Sequence, residues 1–150
     1  MDADDYFGIQ NLINRYFELV DAGRLQDCAA LFAHARMHYL SSGEIVDRDP
    51  DKIHEIMQSF VRLYGDPPSP LTRHHSGNIC IYPEADGKAH ATSSAIIVQA
   101  TPSFSLQVIA EASYADNFEK AEGQWRFTER KLSLNFVGDL SAHLKKGIEQ

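Results

Sequence analysis

Ile9-Gln10-Asn11-Leu12-Ile13-Asn14-Arg15-Tyr16-Phe17-Glu18-Leu19-Val20-Asp21 is the stretch on which the fold turns. Ile9, Leu12, Ile13, Tyr16, Phe17 and Val20 fall at i, i+3, i+4, i+7, i+8 and i+11, which predicts an α-helix with one apolar stripe. Ile53, Ile56, Met57, Phe60, Val61 and Tyr64 repeat that spacing and predict a second helix. Asp49 suits its cap and Pro50 its first turn. A shorter helix is expected over Leu25 to Phe32, with Gly23 separating it from the first. Each stripe needs an apolar surface to cover it.

That surface lies further along the chain. Asp66-Pro67-Pro68-Ser69-Pro70 is a loop. Beyond it Thr72–Tyr82, His90–Ala100, Phe104–Phe118 and Trp125–Phe136 read as strands, with Asp86-Gly87, Thr101-Pro102-Ser103 and Glu122-Gly123 as turns. Met37–Leu40 suggests one more short strand. Long strands joined by short turns predict an antiparallel, curved sheet, and helices followed by strands predict an α+β fold.

The 150 residues fit a single domain over 1–150, with 43% hydrophobic and 23% charged residues. A net charge of −7 argues against nucleic acid or an anionic membrane surface as partner. Cys28 and Cys80 form no CxxC unit and are expected to be reduced and buried. No internal repeat, no basic-apolar leader and no run of ~18 apolar residues occurs, so the expected setting is cytoplasmic.

No phosphate-binding loop, zinc-protease helix or nucleophile elbow is present. His34 and His38 have helical ligand spacing but fall near a strand start, and no metal is expected there. Asp21 is the anomaly. It lies about 40° from Phe17 at the stripe's edge, at ~100° per residue. It also occupies a last helical turn, where the dipole disfavours a carboxylate. A residue locally unfavourable in two ways suggests function, although a solvated helix end would account for it as well. His74 and His75 begin a strand, so alternation sends them to opposite faces. His74 shares its face with Thr72, Ser76, Asn78 and Cys80, and His75 shares its own with Gly77, Ile79 and Ile81. Parity leaves open which histidine faces inward. Tyr16, Tyr39 and Arg130 are either polar groups aimed at a cavity or members of the core.

Taken in order, Arg15 to Asp21, Tyr39, Thr72-Arg73-His74-His75-Ser76-Gly77-Asn78 and Glu122-Gly123-Gln124-Trp125-Arg126-Phe127 resemble the SnoaL-like group of the nuclear-transport-factor-2-like superfamily. The pattern is similar to those of scytalone dehydratase, bile-acid 7α-dehydratase and hexachlorocyclohexane dehydrochlorinase. The resemblance covers roughly Ile9 to Leu140. It implies a cystatin-like cone in which N-terminal helices pack into a strongly curved mixed sheet around a pocket. It implies Asp21 and His74 as the catalytic pair, with Tyr16 and Tyr39 as hydrogen-bond donors to substrate and Arg130 and Tyr114 at the pocket. Phe17, Phe60, Val98 and Phe136, with Ile97, Phe104 and Val108, are the apolar residues available to line it. One departure stands out: Ala95-Ile96-Ile97-Val98-Gln99 lacks the second histidine of scytalone dehydratase, which argues against scytalone as substrate.

The implied activity is removal of water, or another leaving group, from a small cyclic or polyketide-type molecule without a cofactor. The alternatives are an isomerase acting on a cyclic ketone and a non-catalytic small-molecule-binding module, since one fold hosts all three. A homo-oligomer, trimer or dimer, is expected.

Overall fold

The computed structural model describes residues 1–146. Helix α1 runs Ala3–Asp21, α2 Leu25–Ala30 and α3 Pro50–Phe60. The strands are β1 Arg36–Tyr39, β2 Glu44–Asp47, β3 Thr72–Pro83, β4 Lys88–Thr101, β5 Phe104–Ala121 and β6 Gln124–Val137. The arrangement is α+β. Both stripe-bearing helices start on aspartate caps: Asp2 accepts from the Asp5 backbone N–H, and Asp49 from that of Lys52. The acidic start of the chain is thus a capping box that extends α1 a full turn before its apolar stripe.

All six strands form one sheet, in the order β2-β1-β6-β5-β4-β3. It is mixed, because β1 runs parallel to β6 while every other neighbouring pair is antiparallel. The four long strands fall where the sequence put them and extend one to three residues further. β2 was not expected. Pairing is interrupted between Gly77 and Cys80 in β3, at Ile97/Val98 and Gln99/Thr101 in β4, and at Glu111/Ala112 and Asn117/Phe118 in β5. Each irregularity adds local bend and twist. The inner face so formed carries Ala89, Ala91, Ala95, Ala112, Tyr114, Phe118 and Phe127, which bury Ile9, Ile13 and Phe17 of α1 with Phe32 and Ile53. Small alanines in the middle strands leave room for the larger side chains of the helix.

Two expectations are corrected. Cys28 is buried as expected, and burial pushes its thiol up to about 12, but Cys80 is exposed on the edge strand. Phe60, Val108 and Phe136 are exposed rather than turned to the interior. No helix among the described residues is long and apolar enough to cross a membrane.

Candidate active site

The end of α1 and the start of β3 are brought together by the loop between α3 and β3. Gly23, at φ +72°, is where that loop presses closest: a Cβ there would meet the Pro68 carbonyl oxygen at 2.2 Å, so only glycine fits. Ser69 Oγ donates to the Asp21 backbone carbonyl at 3.1 Å. Leu71 takes φ +56° and the chain enters β3. Thr72 and His74 then stand directly beside the last residue of α1.

Three donors converge on the Asp21 carboxylate. His74 Nδ1 lies 2.6 Å from Oδ1, Thr72 Oγ1 donates to Oδ1 at 2.8 Å, and the His74 backbone N–H donates to Oδ2 at 2.8 Å. These contacts resolve the anomaly of a carboxylate in a last helical turn, where the dipole opposes it. Burial works to raise the carboxyl's pKa. The hydrogen bond and charge of His74, its backbone N–H and the Thr72 hydroxyl outweigh burial and hold it below the usual range. An ionised carboxylate only accepts, so His74 Nδ1 carries a proton and donates. The imidazole is also gripped by Phe17, stacked at 5.4 Å between centroids and 20° between planes.

His75 is exposed on the opposite face. The outcome could not be read from alternation, because β3 changes parity. Thr72, His74 and Ser76 lean inward on even positions, whereas Ile79 and Ile81 do so on odd ones. The register slips between Gly77 and Cys80, with Asn78 at φ +50°. The two isoleucines therefore share the face of His74, not that of His75.

A cleft of about 550 Å³ opens over the pair, lined by Asn14, Phe17, Glu18, Asp21, Ala22, Arg73, His74 and Ser76. Ser76 Oγ donates to Asn14 Oδ1 at 2.7 Å and ties the strand to the helix across the floor. The cleft is more polar than the apolar pocket expected. Of the expected lining residues only Phe17 reaches it. Val98 pairs with the exposed Val108 and is half-buried, while Ile97 and Phe104 join a separate cluster with Ile109 and Ala110.

Tyr16, Tyr114 and Arg130 are close to one another but set back in the core. Arg130 is fully buried, makes a bidentate pair with Asp116 and lies 4.5 Å from the Tyr16 ring centroid and 4.7 Å from that of Tyr114. Burial raises the pKa of all three tyrosines, Tyr16, Tyr39 and Tyr114, so their hydroxyls stay protonated. None of the three lines the cleft. His34 is exposed in a turn, and His38 pairs with Glu129 at 2.9 Å.

Two residues near the pair escaped the sequence reading. His143 is buried within the electrostatic reach of His74 and Asp21. Gln99 is buried opposite Thr72. His143 lies in a C-terminal segment without periodicity, which gave no signal. Gln99 showed one, as a polar residue ending an apolar strand.

Residues 1–131 match the SnoaL-like domain, and the chain belongs to that family. No curated protein sequence matches it. Solved structures share the fold. A protein of unknown function with a cystatin-like fold from Nostoc punctiforme aligns with TM-score 0.70 at 20% identity, over 90% of this chain and 94% of that one. A proposed scytalone dehydratase from Novosphingobium aromaticivorans aligns with TM-score 0.69 at 24% identity, over 92% and 91%. ActVI-ORFA from Streptomyces coelicolor aligns with TM-score 0.69 at 13% identity, over 88% and 98%.

Proposed function

We propose that the chain is a cofactor-independent lyase, a dehydratase in the simplest case, that uses His74 as general base and Asp21 as its orienting partner. The observation that carries this reading is the 2.6 Å contact between His74 Nδ1 and Asp21 Oδ1 beside a cleft that both residues line. His74 Nε2 takes a proton from carbon next to a substrate carbonyl. The freed electron pair forms the C=C bond as the β-carbon–oxygen bond breaks. The imidazolium returns the proton to the departing hydroxide, which leaves as water, and His74 is restored. Asp21 holds the ring in the productive tautomer and stabilises the imidazolium, as an aspartate does in a catalytic triad. The polar groups available to substrate are Arg73, Ser76 and Asn14, in place of the tyrosines the resemblance implied.

The test is a panel of small cyclic β-hydroxy ketones followed by ultraviolet absorbance. Enone formation by the wild type, lost in His74→Ala, supports the reading. A shifted double bond with no water released points to an isomerase instead. Saturable binding without any product points to a binding module.

Self-association is part of the same proposal. Ile96, Leu106, Val108 and Phe136 are exposed together on the outer face of the sheet, where Ile96 and Phe136 flank Glu111. A second copy of this chain, presenting the same apolar patch, would cover them. Light scattering at micromolar concentration should show a dimer or trimer that Phe136→Asp dissociates. A wild-type monomer would rule it out.

A further inference from the structure

Among the described residues, four buried side-chain atoms have no hydrogen-bond partner: Ser93 Oγ, Gln99 Oε1, Arg130 Nη1 and His143 Nδ1. Two of these belong together. Gln99, on the inner face of β4, donates from Nε2 to the Pro70 carbonyl at 3.0 Å and to the Ala142 carbonyl at 3.1 Å. Those bonds fix the amide and leave Oε1 as a bare acceptor. His143 follows Ala142 directly in the chain, so its orphaned ring nitrogen sits at the same end of the molecule.

Both residues adjoin the candidate site. Gln99 is the cross-strand partner of Thr72, whose hydroxyl bonds Asp21. His143 feels the charges of both His74 and Asp21. Apolar groups, namely Ile97, Ile109 and Ala110 with Leu134 and Leu140, pack close by at this end of the sheet. Folded chains leave few buried polar atoms unmatched, and each such atom calls for a water or a ligand.

We propose that Gln99 and His143 form a hydroxyl-binding subsite continuing the candidate active site, so that the preferred ligand carries a hydroxyl group besides the group that meets His74. The proposal rests on the reading of Asp21 and His74 given above. A hydroxyl fits better than a carbonyl. Its hydrogen satisfies Gln99 Oε1 while its oxygen accepts from His143 Nδ1–H, whereas a carbonyl leaves the glutamine oxygen bare. A site built to bond a hydroxyl discriminates against the analogue lacking it. The segment 139–146 carries His143 and packs Leu140 against this end of the sheet. Apart from one bridge between Val61 and Leu144, it has no regular structure. It is held by the Tyr64 hydroxyl on the Ala142 carbonyl, by the Arg62 N–H on the His143 carbonyl at 2.8 Å and by the Lys145 N–H on the Phe60 carbonyl at 2.7 Å.

The test titrates the full chain with phenol, catechol, resorcinol and hydroquinone, by calorimetry and by ¹⁵N NMR of the histidine rings. The best dihydroxy isomer should bind at least ~10-fold tighter than phenol and shift the His143 Nδ1 signal, in line with the discrimination of a hydroxyl-bonding site. The advantage should vanish in Gln99→Met and in His143→Phe. Equal affinities, no binding of any probe, or an advantage that survives both subsite variants would overturn the proposal. So would a resorcinol complex in which a water, and not the ligand hydroxyl, bonds Gln99 and His143. A dihydroxy preference without turnover on any ketone leaves the subsite and sinks the lyase. Turnover without the preference does the reverse.

Discussion

Two carboxylates in this fold each hold a cationic or basic side chain, and they differ in what is left over. Asp116 grips Arg130 through two parallel bonds of 2.7 Å, with side-chain exposures of 1% and 0%. The guanidinium is walled by the rings of Tyr16, Phe32, Tyr114 and Phe127, none more than 5.5 Å from it. Asp21 grips His74 through one ring nitrogen and the backbone, while the ring also lines an open cleft. The first pair is sealed and its partner cannot give up a proton near neutral pH. The second leaves the other ring nitrogen, which no described residue bonds, on a side chain that borders the cleft. Burial and pairing alone do not mark an active site; an unused, proton-active valence in contact with a cavity does.

The sharpest way to break this comparison is to remove each pair in turn. His74→Ala should cut turnover by about 10² to 10⁴, the usual weight of a general base. Asp21→Asn should cost a similar factor, and the double variant little more than either single one, because the two act as a unit. Multiplicative losses in the double variant would mean that the residues act separately.

Asp116→Ala should move stability instead. It leaves the Arg130 charge buried and unpaired, at a cost of about 3–5 kcal/mol, whereas Asp116→Leu combined with Arg130→Met should recover most of that loss. Urea denaturation measures both. If the double variant keeps turnover on the ketone panel, Arg130 is structural. If it folds normally but loses turnover, the sealed pair belongs to the site after all.

Much of this was legible in the sequence. The stripes of α1 and α3 announced themselves by periodicity, because a helix packed on a sheet needs a continuous apolar face. Asp21 was visible as an anomaly, since a helix end does not tolerate a carboxylate without donors. The donors themselves were not legible: Thr72 and His74 reach Asp21 only because a loop docks on Gly23, a contact some 45 residues apart in the chain. The pocket wall was misjudged for a related reason. Phe136 is apolar, but exposure on a curved sheet depends on bulges that leave no mark in composition, and Phe60 is the last residue of α3. β2 was missed because Glu44–Asp47 is only four residues long and follows a turn.

A smaller effect separates the environments by pH. Burial, reinforced by the nearby His74 charge and opposed by Asp21, pushes the His143 imidazole down to about 4 from 6.5. An unfolded imidazole takes up its proton near the higher value. Between the two values the unfolded state therefore binds more protons, and stability falls as the pH drops through that window. The full loss is about 3 kcal/mol at 1.36 kcal/mol per unit. Denaturation at pH 7, 5.5 and 4.5 should trace it, and His143→Phe should flatten it. Asp21, held below 3.8, adds its own loss only at lower pH. A wild-type profile that is level down to pH 4.5 would place His143 in contact with water.

The smallest effect is the most discriminating for the site's registration. His75 follows His74 in the chain and is equally basic in isolation, yet it is exposed and pairs across the sheet with the exposed Ile96. Strand alternation turns it to the other face from Asp21. His75→Ala should therefore change turnover by no more than a few fold and leave stability within about 0.5 kcal/mol, the usual range for a surface substitution. The informative arm is the strand beyond it. Ile79 and Ile81 face inward only because the bulge at Gly77–Cys80 shifts the parity. Deleting Asn78 removes the extra residue, so plain alternation then turns His74 and the two isoleucines to the same inner face. In the deletion background His74→Ala should stay severe and His75→Ala mild; a reversal would mean that the start of the strand has rotated. If both histidines stay silent in the full-length chain, neither is the base, and the contrast between an open and a sealed pair loses its catalytic meaning.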